Sequence, residues 1–501
     1  MNDKLLLGID IGSTAVKVIA MTEQGVIRAS ASAFYTTFSP RPGWMEQDPE
    51  DWGRAAFQAV RQCLEQVENA EISALSFSGH MSAPVLLDAD GVPLLPSILI
   101  ADTRSQEQTR FLREFYLEQC VEMTGNEPVD AFAIPKLLWI KAQQPGVLER
   151  TRCILFPKDY VRFLFTGERG TDRTDAGNSL VYNPAAEDWD RHFIAELGLD
   201  PAVFPELHAP HGRFGTVSAA AERATGIPAG TPVITGAADM ACSQLGSGAG
   251  EEGTLALTLS TSAQIVMSVP GISPAMAGRV TFHPSAILNS TYAMGSVFTG
   301  GLGVDWGYRL LTGKGTMQPA DYEELAKWSA QMEQIPPGSN GLLFLPFLLG
   351  SGTPYFDPHD RASWLGLSTG QSPALLLHSI MEGISYNIRE NMDQFEQGGL
   401  EVRKVMIGGG GSRNPVWCRM ISEVLGKEAS ILSNRDAAAV GASILAGVGI
   451  GVYASAKKAA LSMVSTSAPI PYSETRHENY NRLYARYLKL YPALNEYYCE
   501  E

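Results

Sequence analysis

The sequence predicts an α/β protein built from two similar domains, and three observations support that prediction. Residues 5–20, LLLGIDIGSTAVKVIA, are two apolar runs joined by a turn of glycine, serine and threonine. Residues 254–269, TLALTLSTSAQIVMSV, repeat this plan half a chain later, and each segment is typical of a β-hairpin. Elsewhere, short apolar runs alternate with stretches of helical periodicity, which favours helices layered on sheets.

The small residues of the two hairpin turns have a chemical consequence. Because no bulky side chain covers the backbone, its N–H groups can approach a polyphosphate closely. One such turn is a weak signal, since most of them only reverse the chain. Two of them, one opening each half, predict duplicated domains with a nucleotide cleft between them.

Other segments predict further elements in chain order. In the first half we expect helices at residues 48–67, 103–116 and 135–143, and strands at residues 72–78, 84–88 and 232–236. In the second half we expect helices near residues 321–333 and 374–396, a strand at 404–407, and two helices after the glycine run. The segment GSGAGEEG at 246–253 has linker composition, which predicts domains at residues 1–246 and 247–501.

Composition excludes several classes of protein. A chain of 501 residues with 45% hydrophobic and 18% charged residues is globular and too long for one core. The net charge of −16 argues against nucleic acid or an anionic membrane as partner. The six cysteines have no metal-binding spacing, and we see no signal peptide and no apolar run of about 18 residues. We therefore expect a cytoplasmic protein with reduced thiols.

Six motifs together identify a family. They are GIDIGSTAVKV at 8–18, FPKDYVRFLFTGE at 156–168, TGAADMACSQLGSG at 235–248, LPFLLGSGTPYFDP at 345–358, MEGISYNIRENMD at 381–393 and MIGGGGSRNPVWCRMISEVLG at 406–426. Over its whole length the chain resembles the FGGY carbohydrate kinases, most closely the xylulokinase and gluconokinase branches. The resemblance implies the actin/hexokinase-like (ribonuclease H-like) fold, with ATP between duplicated domains.

The resemblance also implies an activity. It is the ATP- and Mg²⁺-dependent phosphorylation of a hydroxyl on a small-molecule sugar, first of all a ketopentose such as xylulose. Gluconate, another aldonate or a polyol remains the alternative substrate. A homodimer is compatible with this interpretation.

Asp10 ends the first strand at the phosphate turn. A carboxylate there can hold Mg²⁺ through water, or it can cap its own turn; the resemblance favours the metal. By the same resemblance Gly12, Ser13 and Thr14 donate to the phosphates, and Thr261 donates from the opposite side.

Asp239 is the candidate catalytic base and would also contact the substrate. It follows a strand and a GAA turn, so its carboxylate is expected at a domain edge, where it can accept the proton of the sugar hydroxyl. Asp before MACSQL is equally a good helix N-cap. The family motif favours catalysis, and the two roles are compatible.

Other residues are nucleotide candidates by resemblance. The run at 408–411 follows a strand and precedes a helix, which brings bare backbone to a nucleotide or forms only a tight turn. The family places Gly409, Gly410 and Asn414 at the nucleotide, with Gly301 and Asp305 as weaker candidates. The motif GxxxxGK[ST] is absent, which argues against a P-loop kinase.

The substrate segment departs from the family pattern. Xylulokinases carry SGQMHG where residues 78–83 read SGHMSA, so His80 replaces glutamine, Met81 is kept and Ser82 replaces histidine. A lone histidine is by default structural, but here a binding role is equally open. Asp102 keeps the carboxylate expected to contact sugar hydroxyls. An aldonate would need a local cation such as Arg104.

A different class of protein uses the same fold. Actin-like ATPases and sugar sensors couple the nucleotide to a conformational switch rather than to phosphoryl transfer. A DNA-binding regulator would carry a basic helix-turn-helix, which we do not see, and a pure sensor would be expected to lose Asp10 or Asp239. Both carboxylates are present, so we favour the enzyme.

Overall fold

The structure is a computed structural model that describes residues 4–67, 70–434 and 436–499. Its first large sheet contains both strands of the first predicted hairpin, paired antiparallel from Leu5 opposite Thr22 to Ile11 opposite Val16. In spatial order its strands are Arg213–Thr216, Pro232–Ile234, Glu71–Gly79, Lys4–Ile11, Ala15–Thr22 and Ile27–Phe34, with Ala237–Ala238 also beside Glu71–Gly79.

The second large sheet repeats this arrangement. In spatial order its strands are Thr281–Pro284, Thr291–Val297, Ala263–Val269, Thr254–Leu259, Lys404–Gly408 and Glu428–Ile431. In both sheets the first strand of the hairpin pairs in parallel with a later strand and antiparallel with its hairpin partner. The duplication predicted from the two hairpins is therefore present in the topology.

Helices cover the sheets in both halves. In the first half they are Pro49–Leu64, Gln106–Thr124, Ala133–Gln143, Pro145–Arg150, Pro157–Thr166, Arg173–Ala176, Arg191–Glu196, Ala219–Thr225 and Asp239–Gly246. In the second half they are Gly301–Thr312, Pro319–Met332, Pro373–Gln397, Pro415–Leu425, Ala437–Gly449, Ala456–Met463, Glu474–Tyr487 and Leu490–Cys499. No helix in the described ranges is both long enough and apolar enough to cross a membrane.

The described residues also form five small two-stranded sheets. They pair Glu46–Gln47 with Ser97–Ile98, Val85–Leu87 with Cys153–Leu155, Thr171–Asp172 with Leu207–His208, Tyr182–Asn183 with Asp188–Trp189, and Leu343–Leu345 with Ser363–Leu365.

Two helices rich in small residues lie between the large sheets. Asp239–Gly246 and Ala437–Gly449 belong to one apolar cluster, which also contains Ile19 of the first sheet and Val266 of the second. The packing is close: a Cβ on Gly8 would lie 2.0 Å from the carbonyl oxygen of Ala439. A helix from the second half of the chain thus packs on the first sheet, and the domain boundary at residue 246 stays a prediction.

Candidate active site

Two carboxylates lie at one edge of the first sheet. In the parallel ladder Asp10 is opposite Ser78, and on the other side of that strand Ser78 is opposite Ala237. Asp239 follows two residues later at the start of its helix. Because parallel strands end at the same edge, the ladder brings Asp10 and Asp239 to one side of the cleft, where α/β folds place ligands.

Asp10 is half-buried and only partly engaged. The Ser78 hydroxyl donates to its Oδ1 at 2.8 Å, and among the described residues Oδ2 accepts no hydrogen bond. Burial raises the pKa of Asp10, against the lowering effects of the Ser78 hydrogen bond and of Lys17. No amide of the turn donates to this carboxylate in the described structure, so it does not cap its own turn. A carboxylate with a free oxygen fits Mg²⁺, held directly or through water.

Asp239 is also half-buried, at the first position of its helix. Ala238, not Asp239, occupies the N-cap position, and Asp239 Oδ1 accepts from the backbone N–H of its neighbour Met240, at 2.7 Å. The structure therefore does not place Asp239 at the N-cap position that the capping alternative requires. Burial, followed by the negative charge of Asp10, raises the pKa of Asp239 to about 7. A pKa near neutral suits a general base.

The two hairpin turns expose backbone, as the sequence predicts. Ser13 and Thr14 are exposed and Gly12 is half-buried in the first turn, and Thr261 is exposed in the second. Lys17 of the first hairpin forms an ion pair at 3.0 Å with Asp436, which precedes the helix between the sheets. Residues of both turns are thus accessible, and their contacts with phosphate oxygens stay a prediction.

The glycine run and Asn414 have clear structural roles. A Cβ on Gly409, whose φ is +80°, would lie 2.4 Å from the Leu259 carbonyl oxygen, whereas one on Gly410 would meet nothing within 4 Å. Asn414 caps the helix Pro415–Leu425, and its Nδ2 donates to Ser329 Oγ at 2.9 Å. Gly410 leaves backbone open to a ligand. Contacts of Gly409 and Asn414 with the nucleotide stay a prediction.

Gly301 and Asp305 lie on the helix that begins beside the second turn. The Gly301 N–H donates to the Ser260 carbonyl at 2.7 Å, so this amide already has a partner within the protein. Asp305 is half-buried, and Tyr322 donates to it at 3.4 Å. Gly301 therefore holds the second turn through the Ser260 carbonyl. The nucleotide contact predicted for Gly301 and Asp305 stays a prediction.

His80 has a buried nitrogen without a partner. Its side chain is 5% exposed, Nε2 forms no hydrogen bond, and the ring lies edge-on to Trp52 with centroids 5.1 Å apart. Burial lowers its pKa to about 3, so the ring is neutral at physiological pH. Buried polar groups usually have a hydrogen-bond partner, and this nitrogen has none among the described residues. A contact between His80 and the substrate stays a prediction.

Ser82 is held in an unusual backbone conformation. Its φ is +63°, its hydroxyl donates to the Asn178 carbonyl at 3.2 Å, and its own carbonyl accepts from Lys136 Nζ at 2.8 Å. Met81 beside it is buried. Burial lowers the pKa of Lys136 to about 7. Sequence reasoning placed Lys136 only in a helix and missed this contact, because 54 residues separate the two partners.

Asp102 accepts four hydrogen bonds within the protein, and the sugar contact predicted for it stays a prediction. Its oxygens accept from Met45 N at 2.5 Å and from the Arg104 backbone and guanidinium at 2.6–2.9 Å. Arg104 also donates to Glu46 at 2.6 Å and lies 3.7 Å from the Trp44 ring centroid. Since a carboxylate has about four acceptor sites, Asp102 has none left. Arg104, neutralised by two carboxylates, is likewise not a free cation.

A buried charge cluster behind Asp239 was also missed. Lys158 Nζ lies 2.5–2.8 Å from Asp159, Asp172 and Asp175, all of them buried. Thr174 next to the cluster accepts from Ala238 N at 2.8 Å. The lysine amine occupies the space between the three carboxylates, so they form a structural ion cluster. Its only sequence signal was the density of charges in the segments KDYVR and TDRTDA.

Comparisons with known proteins agree with this geometry. Residues 5–246 match the family model for the N-terminal domain of the FGGY family of carbohydrate kinases, and residues 252–450 match that for its C-terminal domain. A xylulose kinase of Bacillus subtilis (strain 168) is 30% identical, and the alignment covers 97% of each chain. A gluconokinase of the same organism is 26% identical, over 98% of this chain and 95% of the relative.

A solved structure gives the same result for the fold. The crystal structure of a xyloylose kinase from Brucella ovis superposes with a TM-score of 0.89 at 28% identity, covering 98% of this chain and 99% of that one. The two-domain α/β fold and the family resemblance inferred from the motifs are both confirmed.

Proposed function

Because the chain belongs to the FGGY family of carbohydrate kinases, we propose that it phosphorylates a ketopentose such as D-xylulose. The observation that carries the proposal is the pair Asp10 and Asp239 at one sheet edge, beside a turn whose Ser13 and Thr14 amides donate to no described residue. The xylulose kinase that is 30% identical over nearly the whole chain supports the choice of sugar.

The residues of this chain divide the work as follows. Asp239 accepts the proton of the sugar hydroxyl, and the amides and hydroxyls of the two turns orient the phosphates. Asp10 would hold Mg²⁺ with its free oxygen. ATP supplies the γ-phosphoryl group, and the metal supplies positive charge that offsets its oxygens.

A neutral sugar fits the predicted substrate segment at residues 78–83 better than an aldonate does. This segment carries the unpartnered, uncharged His80 nitrogen, whereas Arg104 is already paired with Asp102 and Glu46. A carboxylate substrate would bring a further negative charge here, and Arg104, the cation that the sequence offered for it, is already paired. Gluconate is the second candidate, supported only by the gluconokinase that is 26% identical.

The test is a coupled ADP-release assay across ketopentoses, pentitols and aldonates, with detection of the sugar phosphate. We expect D-xylulose to give the highest kcat/KM among them. His80→Phe keeps the ring against Trp52 but removes Nε2, so kcat/KM for the sugar should fall roughly 5–150-fold, with KM for ATP unchanged. A preference for gluconate would overturn the proposed substrate, and ATP hydrolysis without sugar phosphate would instead indicate an ATPase.

A further inference from the structure

The carbonyl groups of the first phosphate turn are held from behind by two side chains. The Tyr35 hydroxyl donates to the Gly12 carbonyl, and Gln47 Nε2 donates to the Ser13 carbonyl at 2.7 Å. Neither contact belongs to the hairpin itself. Two successive peptide groups of the turn are therefore fixed by residues outside it.

This arrangement determines where the amides point. In a trans peptide the C=O and the following N–H point in opposite directions. Holding the carbonyls of Gly12 and Ser13 thus directs the N–H groups of Ser13 and Thr14 away from Tyr35 and Gln47. Within the described chain neither of these N–H groups donates a hydrogen bond, and both residues are exposed. They form a pair of oriented donors that suits an anion.

In the second turn, too, carbonyl groups are held by hydrogen bonds, but the donors are backbone amides. The carbonyl of Ser260 accepts from Gly301 N at 2.7 Å, and that of Thr261 accepts from Gly300 N and Leu302 N at 3.0 and 3.1 Å. Here too two successive carbonyls are held, and the next amides, of Thr261 and Ser262, donate to no described residue. The two halves reach one geometry by independent contacts, backbone in one and side chains in the other.

Gln47 is itself fixed in place. It is fully buried, its Nε2 also donates to Thr37 Oγ1 at 2.7 Å, and its Oε1 accepts from Trp52 Nε1 at 2.9 Å. The Trp52 ring in turn packs edge-on against the ring of His80, a predicted substrate-binding residue. The amide is thereby locked in one orientation, with its donor toward the turn.

We propose that Gln47, assisted by Tyr35, is a positioning residue for phosphoryl transfer: by holding two carbonyls of the first turn it aims the Ser13 and Thr14 amides at the nucleotide phosphates. The inference rests on the proposed function, because it requires that a nucleotide binds at this turn. It concerns the phosphates alone, and not the base or the sugar.

The test compares ATP with adenosine by calorimetry. Gln47→Glu keeps the acceptor for Trp52 but replaces the donor to Ser13 with an oxygen and adds a negative charge. Tyr35→Phe removes only the hydroxyl and adds no charge, so a loss of ATP affinity in that variant does not come from repulsion of the phosphates. In each variant we expect the affinity for ATP to fall about tenfold or more while the affinity for adenosine is unchanged. A general loss of structure would weaken both ligands equally.

The matched control is Gln66→Glu. Gln66 Nε2 donates to the Ser30 carbonyl at 2.8 Å on the exposed edge strand of the first sheet, and this change should leave both affinities unaltered. The inference is overturned if the ratio of ATP affinity to adenosine affinity is unchanged in folded Gln47→Glu and Tyr35→Phe. If Gln47→Glu does not fold, Tyr35→Phe decides alone. If the inference is overturned but the wild type still releases ADP when sugar is added, the proposed function stands. A wild type that binds ATP no more tightly than adenosine also overturns the inference, and a wild type that forms no sugar phosphate overturns the proposed function.

Discussion

Asp239 combines position and basicity, and its substitution gives the most direct prediction. Asp239→Asn keeps the shape and the hydrogen bond from Met240 but removes the proton acceptor. General-base catalysis contributes about 10²–10⁴-fold, so kcat should fall by that factor with KM for ATP little changed. Steady-state kinetics at saturating ATP measure it.

A helix-capping aspartate provides the control for that change. Asp190 Oδ1 accepts from Phe193 N at 2.9 Å and caps the helix Arg191–Glu196. Because asparagine caps as well as aspartate does, Asp190→Asn should retain full activity. If Asp239→Asn were equally active, Asp239 would not be the base.

A buried glutamate outside the cleft predicts how stability depends on pH. Glu382 is 1% exposed and accepts from Gly338 N at 2.7 Å and from Ser339 Oγ at 2.6 Å. Burial outweighs these hydrogen bonds and raises its pKa from 4.5 to about 7. The folded state therefore binds this proton more tightly than the unfolded state does.

The consequence is a loss of stability as pH rises through the window from 4.5 to about 7. Glu382→Gln removes the titration. Relative to this variant, the wild type should therefore lose roughly 1–3 kcal/mol of its free energy of unfolding between pH 5 and pH 8. Denaturant titrations across that range measure the shift. A difference that does not vary with pH would contradict it.

The helix pair between the sheets depends on small residues at its contact. A Cβ on Gly441 would lie 2.0 Å from the Cys242 carbonyl oxygen of the neighbouring helix, a distance that no rotamer change relieves. Gly441→Ala should therefore lower the free energy of unfolding by about 1–3 kcal/mol or more. Thermal unfolding measures the loss.

Gly146 is the matched control for this substitution. It also lies in a helix, Pro145–Arg150, but a Cβ there would meet nothing within 4 Å. Gly146→Ala should leave stability unchanged or raise it by about 0.4–1 kcal/mol, because alanine restricts the unfolded chain. Equal effects of the two substitutions would show that the helix contact is not tight.

Sequence patterns located both hairpins and several of the long helices but blurred their ends. The helix predicted at 103–116 is Gln106–Thr124, because it runs on until Gly125, which ends it with φ +74°. The strand Glu46–Gln47, which carries the positioning amide, was not predicted at all. Two residues are too few for a period to show, and the strand exists through its pairing with the distant segment Ser97–Ile98.

The whole molecule should close when both substrates bind. The two sheets meet through the helix pair, and a nucleotide held between the turns needs them to approach so that water is excluded. We expect saturating D-xylulose with a non-hydrolysable ATP analogue to reduce the radius of gyration in small-angle scattering. His80→Phe should need more sugar for the same compaction, and an unchanged wild-type profile would contradict closure.

By itself the sequence determined the duplicated hairpins, the small-residue turns, the family and the carboxylates at the strand ends, because each is encoded in a local pattern. Only the tertiary structure decided which side chains meet: Gln47 with the Ser13 carbonyl, Arg104 with both Asp102 and Glu46, and the helix Ala437–Gly449 with Gly8. Contacts between distant segments depend on how layers pack, and they leave no periodicity in the chain. That is why Asp10 and Asp239 could be named as candidates from the sequence, whereas the saturation of Asp102 and the anchoring of the phosphate turn could not.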